Sequence, residues 1–305
     1  MTDCTEGLLC TVMRSNAETS RLCVSTMLRF LVVALAPTVL ALKVTVLGGS
    51  GFVGSRVCKT LVDAGAEVIS LSASGAAPCD AEWTKAVVWR KNNLLRGPRE
   101  QLVEAMGQPD AVVSAVGVIG FDVQGSLLGN GVANAEGAKA AKAAGASRFV
   151  YVSVASDVTN AKGWLPLWGI EGYFDGKAQA EQAILDAGFK ATTFVRPSFV
   201  YGGDSFGLFP PRVNAAYGSA VEELLSAGPI VALANALPGL LKVALRPPVS
   251  VDAVAGAAAA AALGKLDASV LDGTPAINEA AGQPKATGLS DFINGVKDKL
   301  SSATA

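Results

Sequence analysis

A tyrosine and a lysine stand four residues apart in the stretch EGYFDGKAQAE, residues 171–181. Residues i and i+4 of a helix share one face, so Tyr173 and Lys177 can reach one ligand together. Free tyrosine, with a pKa of about 10, is a poor base at neutral pH, but a neighbouring ammonium and a positively charged ligand would lower that pKa. The pair predicts a proton-transfer device, with two solvated residues on an amphipathic helix as the alternative. Gly176 costs a helix about 1 kcal/mol relative to alanine, which predicts that another element approaches closely there.

The composition narrows the chemistry that is available. The 305 residues include no histidine, which excludes serine-histidine triads and histidine zinc sites. Only 17% of the residues are charged and the net charge is -1, so no nucleic-acid partner is expected. Cys58 and Cys79 show no metal-ligand spacing, so we expect free thiols and no metal site.

A glycine motif, VLGGSGFVGS, joins a predicted buried strand to a predicted helix. Gly48, Gly51 and Gly54 permit a tight turn, the approach of a pyrophosphate to backbone amides, and close helix packing. The strand before the motif and the helix after it favour dinucleotide binding over a merely structural turn. Phe52 and Val53 belong to the same turn and are predicted cofactor contacts.

The form of the dinucleotide is predicted from the second strand, which ends in SLSASG without an acidic residue for a ribose 2′-hydroxyl. This disfavours NAD. Ser72 and Ser74 can donate to a 2′-phosphate, with Arg56 as a candidate cation, so NADP is the favoured cofactor and NAD the alternative. Val116 and Gly117, at the end of the predicted fourth strand, are further cofactor contacts.

From Lys43 onward, β-rich runs alternate with helical segments. The predicted strands are 43–48, 67–72, 86–90, 110–117, 147–153 and 191–202. Strands separated by helices predict a doubly wound, mostly parallel α/β Rossmann sheet in a single domain, residues 43–305. Residues 203–248 and the C-terminal part are predicted to form a small substrate lobe. Its apolar side chains either line a substrate site or are ordinary core; they include Phe206, Leu208 and Phe209.

Residues 1–42 are predicted to be a leader. Within it, residues 27–42 combine Arg29 with about 13 apolar residues and a small-x-small site, which is typical of a signal peptide. A helix of that length rises only about 20 Å, too little for a comfortable membrane span. We expect an organellar location, with a plastid favoured and a mitochondrion or the secretory pathway as alternatives.

Several motifs together resemble an atypical short-chain dehydrogenase/reductase. They are the glycine motif, NGVAN, RFVYVSV, GYFDGKAQAE, FVRPSFVYG and PPVSVDAVA, and they cover roughly residues 43–265. The resemblance is closest to the branch that includes the complex I accessory subunit and the plastid and mitochondrial quinone-associated proteins.

The resemblance implies roles for individual residues. Tyr173 would be the acid/base, Lys177 would bind the nicotinamide ribose, and Asn130 would match the family's helix asparagine. Ser153 lies near the position of the substrate-polarising serine, and Ala155 stands where some extended members place that serine. The segment Arg196, Pro197 and Ser198 would line the nicotinamide pocket, with an ion-pair role as the alternative for Arg196.

Two functions compete at this point. The first is an NAD(P)-dependent oxidoreductase or epimerase-like enzyme that acts on a small apolar carbonyl or alcohol, such as a quinone or isoprenoid. The second is a catalytically weak nucleotide-holding protein of an organellar membrane-associated complex, which leaves peripheral membrane or complex association open. Nucleotide-sugar epimerisation is disfavoured, because Arg212 and Arg246 are too few to bind a diphosphate.

Overall fold

The computed structural model describes residues 41–120, 122–164, 170–203 and 213–283. Nearly all of the predicted leader therefore lies outside the described residues, as do Phe206, Leu208, Phe209 and Arg212. The strands are β1 Lys43–Leu47, β2 Glu67–Ser72, β3 Val87–Lys91, β4 Ala111–Ser114, β5 Arg148–Val152, β6 Ala191–Arg196, β7 Val200–Tyr201, β8 Val249–Ser250 and β9 Val270–Asp272.

Helices connect most of these strands. The α-helices are α1 Phe52–Asp63, α2 Glu82–Lys85, α3 Arg99–Met106, α4 Val123–Leu127, α5 Ala133–Ala143, α6 Ser156–Asn160, α7 Glu171–Asp186, α8 Ala215–Leu225, α9 Gly228–Ala236, α10 Gly239–Ala244, α11 Val251–Ala262 and α12 Gly273–Ala280. A π-helical turn, Leu128–Val132, joins α4 to α5, and a 3-10 turn, Lys162–Trp164, follows α6. In the part of the chain that the structure describes, no helix has both the length and the apolar character needed to cross a membrane.

One seven-stranded sheet has the order β3-β2-β1-β4-β5-β6-β9, and each neighbouring pair is parallel. β7 and β8 form a separate parallel pair. The order reverses at β1, which pairs with β2 on one side and with β4 on the other. In open α/β sheets, ligands bind beyond the carboxyl ends of the strands at such a reversal. The predicted Rossmann fold class is confirmed.

The sheet is covered on both faces, which explains the continuous apolar runs of its strands. One core cluster joins β1, β2, β4 and β5 to α1 and α11. The other lies on the opposite face, against α3, α5 and α7. α11 is rich in alanine, and nine of its twelve residues are buried, so it packs closely against α1.

Two elements differ from the sequence prediction. The predicted sixth strand, residues 191–202, divides after Arg196, because Pro197 has no N–H for a ladder. The sheet also gains β9, a three-residue strand too short to stand out by periodicity. Residues 213–248, the described part of the segment predicted to form most of the substrate lobe, contain α8, α9 and α10.

Candidate active site

The glycine turn between β1 and α1 is formed by close backbone packing. Gly48 adopts a φ of 79° that favours glycine, and its carbonyl accepts a hydrogen bond from the N–H of Gly51 at 2.9 Å. A Cβ on Gly54 would collide with that same carbonyl. Gly51 offers no side-chain cap to α1, so the first turn of the helix presents backbone amides and a positive dipole end to a phosphate.

The loop after β4 brings this turn to the same edge of the sheet as the tyrosine-lysine helix. A Cβ on Gly48 would lie 3.2 Å from Val116, and a Cβ on Gly117 would lie 3.3 Å from the Lys177 Nζ. Phe52, at the start of α1, lies near Gly202 beyond β7. Val53 packs against the core cluster beneath. Val116, Gly117 and Phe52 therefore lie at one edge of the sheet, whereas Val53 contacts the core.

Lys177 is buried at the centre of this edge, with 5% of its surface exposed. Its Nζ donates to the Val152 carbonyl at 2.8 Å and lies 3.5 Å from the Val116 carbonyl. The ammonium is 4.7 Å from the ring centre of Tyr151 and 5.8 Å from that of Tyr173. Burial lowers the pKa of Lys177 from its ordinary 10.5 to about 7, although Glu181 acts in the opposite direction.

Tyr173 lies half-buried one helical turn before the lysine. Burial raises the pKa of Tyr173 from 10.0 to about 12. The expected lowering of this pKa by Lys177 is therefore wrong for the chain's own residues, since burial outweighs an ammonium that donates to a strand carbonyl instead. At neutral pH the phenol holds its proton, so it can act as a proton donor.

Gly176 lets α7 approach the π-helical turn, as the sequence predicted. A Cβ there would lie 2.8 Å from the Cβ of Asn130 and 3.0 Å from the Gly131 nitrogen. Asn130 itself sits in the π-helical turn, a rare geometry that is frequent at functional sites.

The Asn130 amide fixes the loop after β4. Its Nδ2 donates to the carbonyls of Val118 and Ser126, both at 2.7 Å, and its Oδ1 accepts from the Val118 N–H at 3.1 Å. The Asn130 carbonyl accepts from Asn134 at 2.8 Å and from the Tyr151 hydroxyl at 3.4 Å. The structure thus places Asn130 as a support for the loop that contacts Lys177.

Ser153 directly follows β5 and is 5% exposed. Its backbone N–H donates to the Val195 carbonyl, and its hydroxyl makes no hydrogen bond to any residue that the structure describes. Ala155 is buried nearby and donates through its N–H to the Pro197 carbonyl. The Ser198 hydroxyl donates to the Pro247 carbonyl at 2.8 Å.

Arg196 forms an ion pair, the second of the two roles considered for it from the sequence. Its guanidinium forms a bidentate contact with Glu181, at 3.0 and 2.5 Å, and lies 3.7 Å from Asp272. These hydrogen bonds to the Glu181 carboxylate raise the pKa of Arg196. The residue links α7 to β6 and β9.

Of the three residues predicted to bind a 2′-phosphate, the two serines lie together and the arginine contacts another helix. Ser72 and Ser74 share a hydrogen bond at 3.3 Å at the end of β2. Arg56 instead lies 3.4 Å from Asp252 of α11. The sequence did not point to Ser50, although it stands inside the glycine motif and its hydroxyl is 2.9 Å from that of Ser72.

A cavity of about 390 Å³ opens beyond the ends of β5, β6 and β9, between α6, α9 and α12. Its lining includes Ala155, Ser198 and two members of an ion-paired cluster, Asp157 and Arg246. In that cluster Asp157 binds Arg246 at 2.6 Å and Lys242 at 2.7 Å. Burial alone would raise the pKa of Asp157, but the hydrogen bonds from these two cations outweigh it and lower the pKa.

The two later cysteines are free, as expected: Cys58 is buried and Cys79 is exposed. Burial raises the pKa of Cys58 to about 12, so it is an inert thiol. Across the described ranges, no three histidine, cysteine, aspartate or glutamate side chains cluster in a way that would hold a metal ion.

Solved structures share this fold. The Bordetella bronchiseptica enzyme WbmH, in complex with NAD+, aligns with a TM-score of 0.52 at 18% identity over 76% of this chain and 75% of its own. The UDP-Glc/GlcNAc 4-epimerase of Campylobacter jejuni aligns with a TM-score of 0.53 at 17% identity, covering 76% and 78% of the two chains. At these identities the likeness concerns the fold alone.

Two proteins are similar in sequence to part of this chain. An uncharacterised chloroplastic protein of Arabidopsis thaliana is 34% identical over 160 residues, 52% of this chain and 51% of that protein. MIOREX complex component 2 of Saccharomyces cerevisiae is 32% identical over 82 residues, 25% of this chain and 29% of that protein. The chain thus spans about half or less of these relatives. A family model described as NAD(P)H-binding matches residues 48–209, more than half of the chain, and the chain therefore belongs to the NAD(P)H-binding family.

Proposed function

We propose that this protein is an NAD(P)-dependent oxidoreductase of the atypical short-chain type that reduces an apolar carbonyl compound. The observation that carries the proposal is the buried Lys177, whose ammonium lies between the rings of Tyr151 and Tyr173 at the edge of the sheet where the glycine turn ends. The Lys177 Nζ donates to the Val152 carbonyl and lies near the Val116 carbonyl, which leaves one of its three N–H groups for a ligand. The ribose hydroxyls of a nicotinamide nucleotide would be suitable partners.

The residues present fit such a nucleotide. The amides of the first turn of α1 would bind the diphosphate, and Gly48 and Gly54 let the backbone close tightly into the turn that presents those amides. Val116, Gly117, Pro197 and Ser198 would border the nicotinamide. When bound, the reduced nucleotide supplies a hydride to the carbonyl carbon.

Tyr173 would donate its hydroxyl proton to the carbonyl oxygen as the alcohol forms. The phenol carries this proton at neutral pH, as a proton donor must. Lys177 would hold the ribose, and Ser153, whose hydroxyl is unused within the described residues, would polarise the carbonyl. Asn130 would position the loop between them.

We propose a largely apolar substrate, a quinone or an isoprenoid carbonyl compound. The cavity between α6, α9 and α12 supports this, since Val158, Val231 and Pro275 are in its lining. The cation in its lining, Arg246, is already neutralised by Asp157. That pairing argues against a sugar diphosphate as the substrate, because the arginine would have to leave a carboxylate.

The proposal is tested with the wild-type chain and with Tyr173→Phe, measuring NADPH fluorescence, thermal shift and NADPH oxidation with short-chain quinones. We expect nucleotide affinity to be unchanged and turnover to fall about 10²–10⁴-fold in Tyr173→Phe. Tyr217→Phe, on the exposed face of α8, is the matched control. Equal turnover in Tyr173→Phe and the wild type would remove the phenol from the mechanism.

A second candidate is a nucleotide-holding protein without turnover in a membrane-associated assembly. It is favoured by the outer face of α9 and α10, defined by Leu233, Leu240 and Leu241, which are 53%, 37% and 60% exposed. Between Leu224 and Ala244 the only charged residue is Lys242, and it binds Asp157. Exposed apolar surface of this kind marks interaction sites. Nucleotide binding with no oxidation of NADPH by any tested carbonyl compound would favour this candidate.

We further propose an organellar location, with a plastid favoured over a mitochondrion and the secretory pathway. The signal-like residues 27–42 and the chloroplastic name of the Arabidopsis thaliana relative support it. Fusion of residues 1–42 to a fluorescent protein tests the location, and diffuse fluorescence throughout the cell would contradict it.

A further inference from the structure

Three serine hydroxyls converge where β2 ends. The Ser72 Oγ lies 2.9 Å from the Ser50 Oγ and 3.3 Å from the Ser74 Oγ, and it accepts from the Gly75 N–H at 3.0 Å. The Ala76 N–H donates to Ser74 at 3.3 Å. The Ser50 hydroxyl donates to the Ala76 carbonyl at 2.5 Å, so the Ser50 oxygen accepts from Ser72 within the cluster. A hydroxyl can rotate about its C–O bond, so each of the three can turn its proton toward an incoming anion.

The strand register places a lysine beside this cluster. Lys91, at the end of β3, pairs with Ser72. Partners in a parallel register point to the same face of the sheet, and residues two apart on a strand share that face. Ser70, two residues before Ser72, faces Gly49 and Cys58, which belong to the glycine turn and α1. The side chains of Ser72 and Lys91 therefore point to the face where the glycine turn lies.

The neighbouring arginine confirms this orientation. Arg90 points to the opposite face, where its Nη1 donates to the Ala105 carbonyl of α3 at 2.8 Å. The loop after β2 also packs directly on Lys91: a Cβ on Gly75 would lie 2.6 Å from the Lys91 Cβ. The backbone of Lys91 is thus held against the serine cluster.

The charges around the cluster favour an anion. Lys91 is exposed and makes no ion pair with any residue in the described ranges. The segment between Glu67 and Asp80 contains no acidic residue. The cation expected from the sequence, Arg56, is turned toward Asp252 on α11.

We propose that Lys91, together with the hydroxyls of Ser50, Ser72 and Ser74, holds the 2′-phosphate of NADP(H) and selects it over NAD(H). The inference rests on the proposed function, because it takes the glycine turn to hold the dinucleotide. It replaces Arg56 with Lys91 as the cation of the site. Phosphate bound by hydroxyls, backbone amides and one lysine is a common pattern of charge-assisted recognition.

The test compares wild-type protein with Lys91→Gln, Arg56→Gln and Lys85→Gln by titration with NADPH and NADH. Adenosine 2′,5′-bisphosphate and 5′-AMP serve as probes of the adenosine end alone. Lys85, an exposed lysine on α2 that pairs with Glu82, is the matched control. We expect the wild type to prefer NADPH at least tenfold, and Lys91→Gln to lose about tenfold for NADPH and the bisphosphate but not for NADH or 5′-AMP.

Other outcomes would overturn the inference. Equal wild-type affinities for NADPH and NADH would show that the 2′-phosphate is not recognised, while leaving the proposed function intact. Loss of preference in Arg56→Gln, or an equal loss for both nucleotides in Lys91→Gln, would exclude Lys91 as the selecting residue. Failure of the wild type to bind either nucleotide would overturn both proposals.

Discussion

The glycine turn and the outer face of α9 and α10 are both poor in charge, yet they are packed in opposite ways. In the turn, backbone atoms lie where a larger residue would place its side chain, and a Cβ on Gly54 would collide with the Gly48 carbonyl. On the outer face, Leu233 and Leu241 project from short helices and are more than half exposed. Low charge accompanies close backbone packing in the first region, whereas in the second region it leaves apolar side chains exposed. Substitutions at the turn should therefore lower nucleotide affinity and the free energy of unfolding, whereas substitutions on the outer face should change both very little.

The largest effect is expected for Gly54→Ala. The new methyl group would meet the Gly48 carbonyl, so the turn must open, which costs about 1–3 kcal/mol and disrupts the amides that would bind phosphate. We expect no measurable nucleotide binding in fluorescence titrations. Gly228→Ala, at the start of α9, has no neighbour within 4 Å of the added Cβ and is the matched control. Wild-type affinity in Gly54→Ala would contradict the proposed difference between the glycine turn and the outer face.

Asn130→Ala is expected to be the next most damaging. It removes three hydrogen bonds and leaves the Val118 N–H and two carbonyls without their amide partner. We expect a loss of about 3 kcal/mol in the free energy of unfolding, measured in urea. Asn235→Ala, on exposed α9, should change it by less than about 0.5 kcal/mol. Similar losses in the two variants would show that the loop after β4 does not depend on Asn130.

Lys177→Met should alter the pH dependence of stability. The folded-state pKa of Lys177, about 7, lies below its ordinary 10.5, so between these values the unfolded chain binds more protons. The free energy of unfolding of the wild type should therefore rise with pH relative to that of Lys177→Met, by about 2 kcal/mol from pH 7 to pH 9. Urea unfolding at both pH values measures the difference, with Lys139→Met on the surface of α5 as a control. Parallel pH profiles would mean that the ammonium is solvated.

The smallest effect is expected for Leu241→Gln. Its side chain is 60% exposed, so the free energy of unfolding should change by less than about 0.5 kcal/mol and nucleotide affinity should stay the same. Sedimentation with lipid vesicles should nevertheless weaken if this face contacts a membrane. A large loss of stability would show that the outer face is part of the core, which would remove the contrast with the glycine turn.

Features that depend on nearby residues were predicted well. The strands from β1 to β6, the helix from Glu171 and the close approach at Gly176 follow from periodicity, glycine spacing and propensity, and the structure confirms them. Features that depend on residues distant in the sequence were not predicted. β9 joins the sheet through β6, and Arg56 meets Asp252, about 200 residues later in the chain.

The tyrosine-lysine pair shows where this boundary falls. The four-residue spacing alone determined that Tyr173 and Lys177 share a helix face, because the helical repeat is a local property. Their protonation depends on the folded structure, because burial, the Val152 carbonyl and the ring of Tyr151 come from other elements. The sequence also shows that β2 ends without an acidic residue. The position of Lys91 beside that end follows from the pairing of β2 with β3. The hydrophobic pattern and the glycine positions are local properties that can be read from the sequence. Solvent exclusion and neighbouring charge arise only when the strands have paired and distant residues come together.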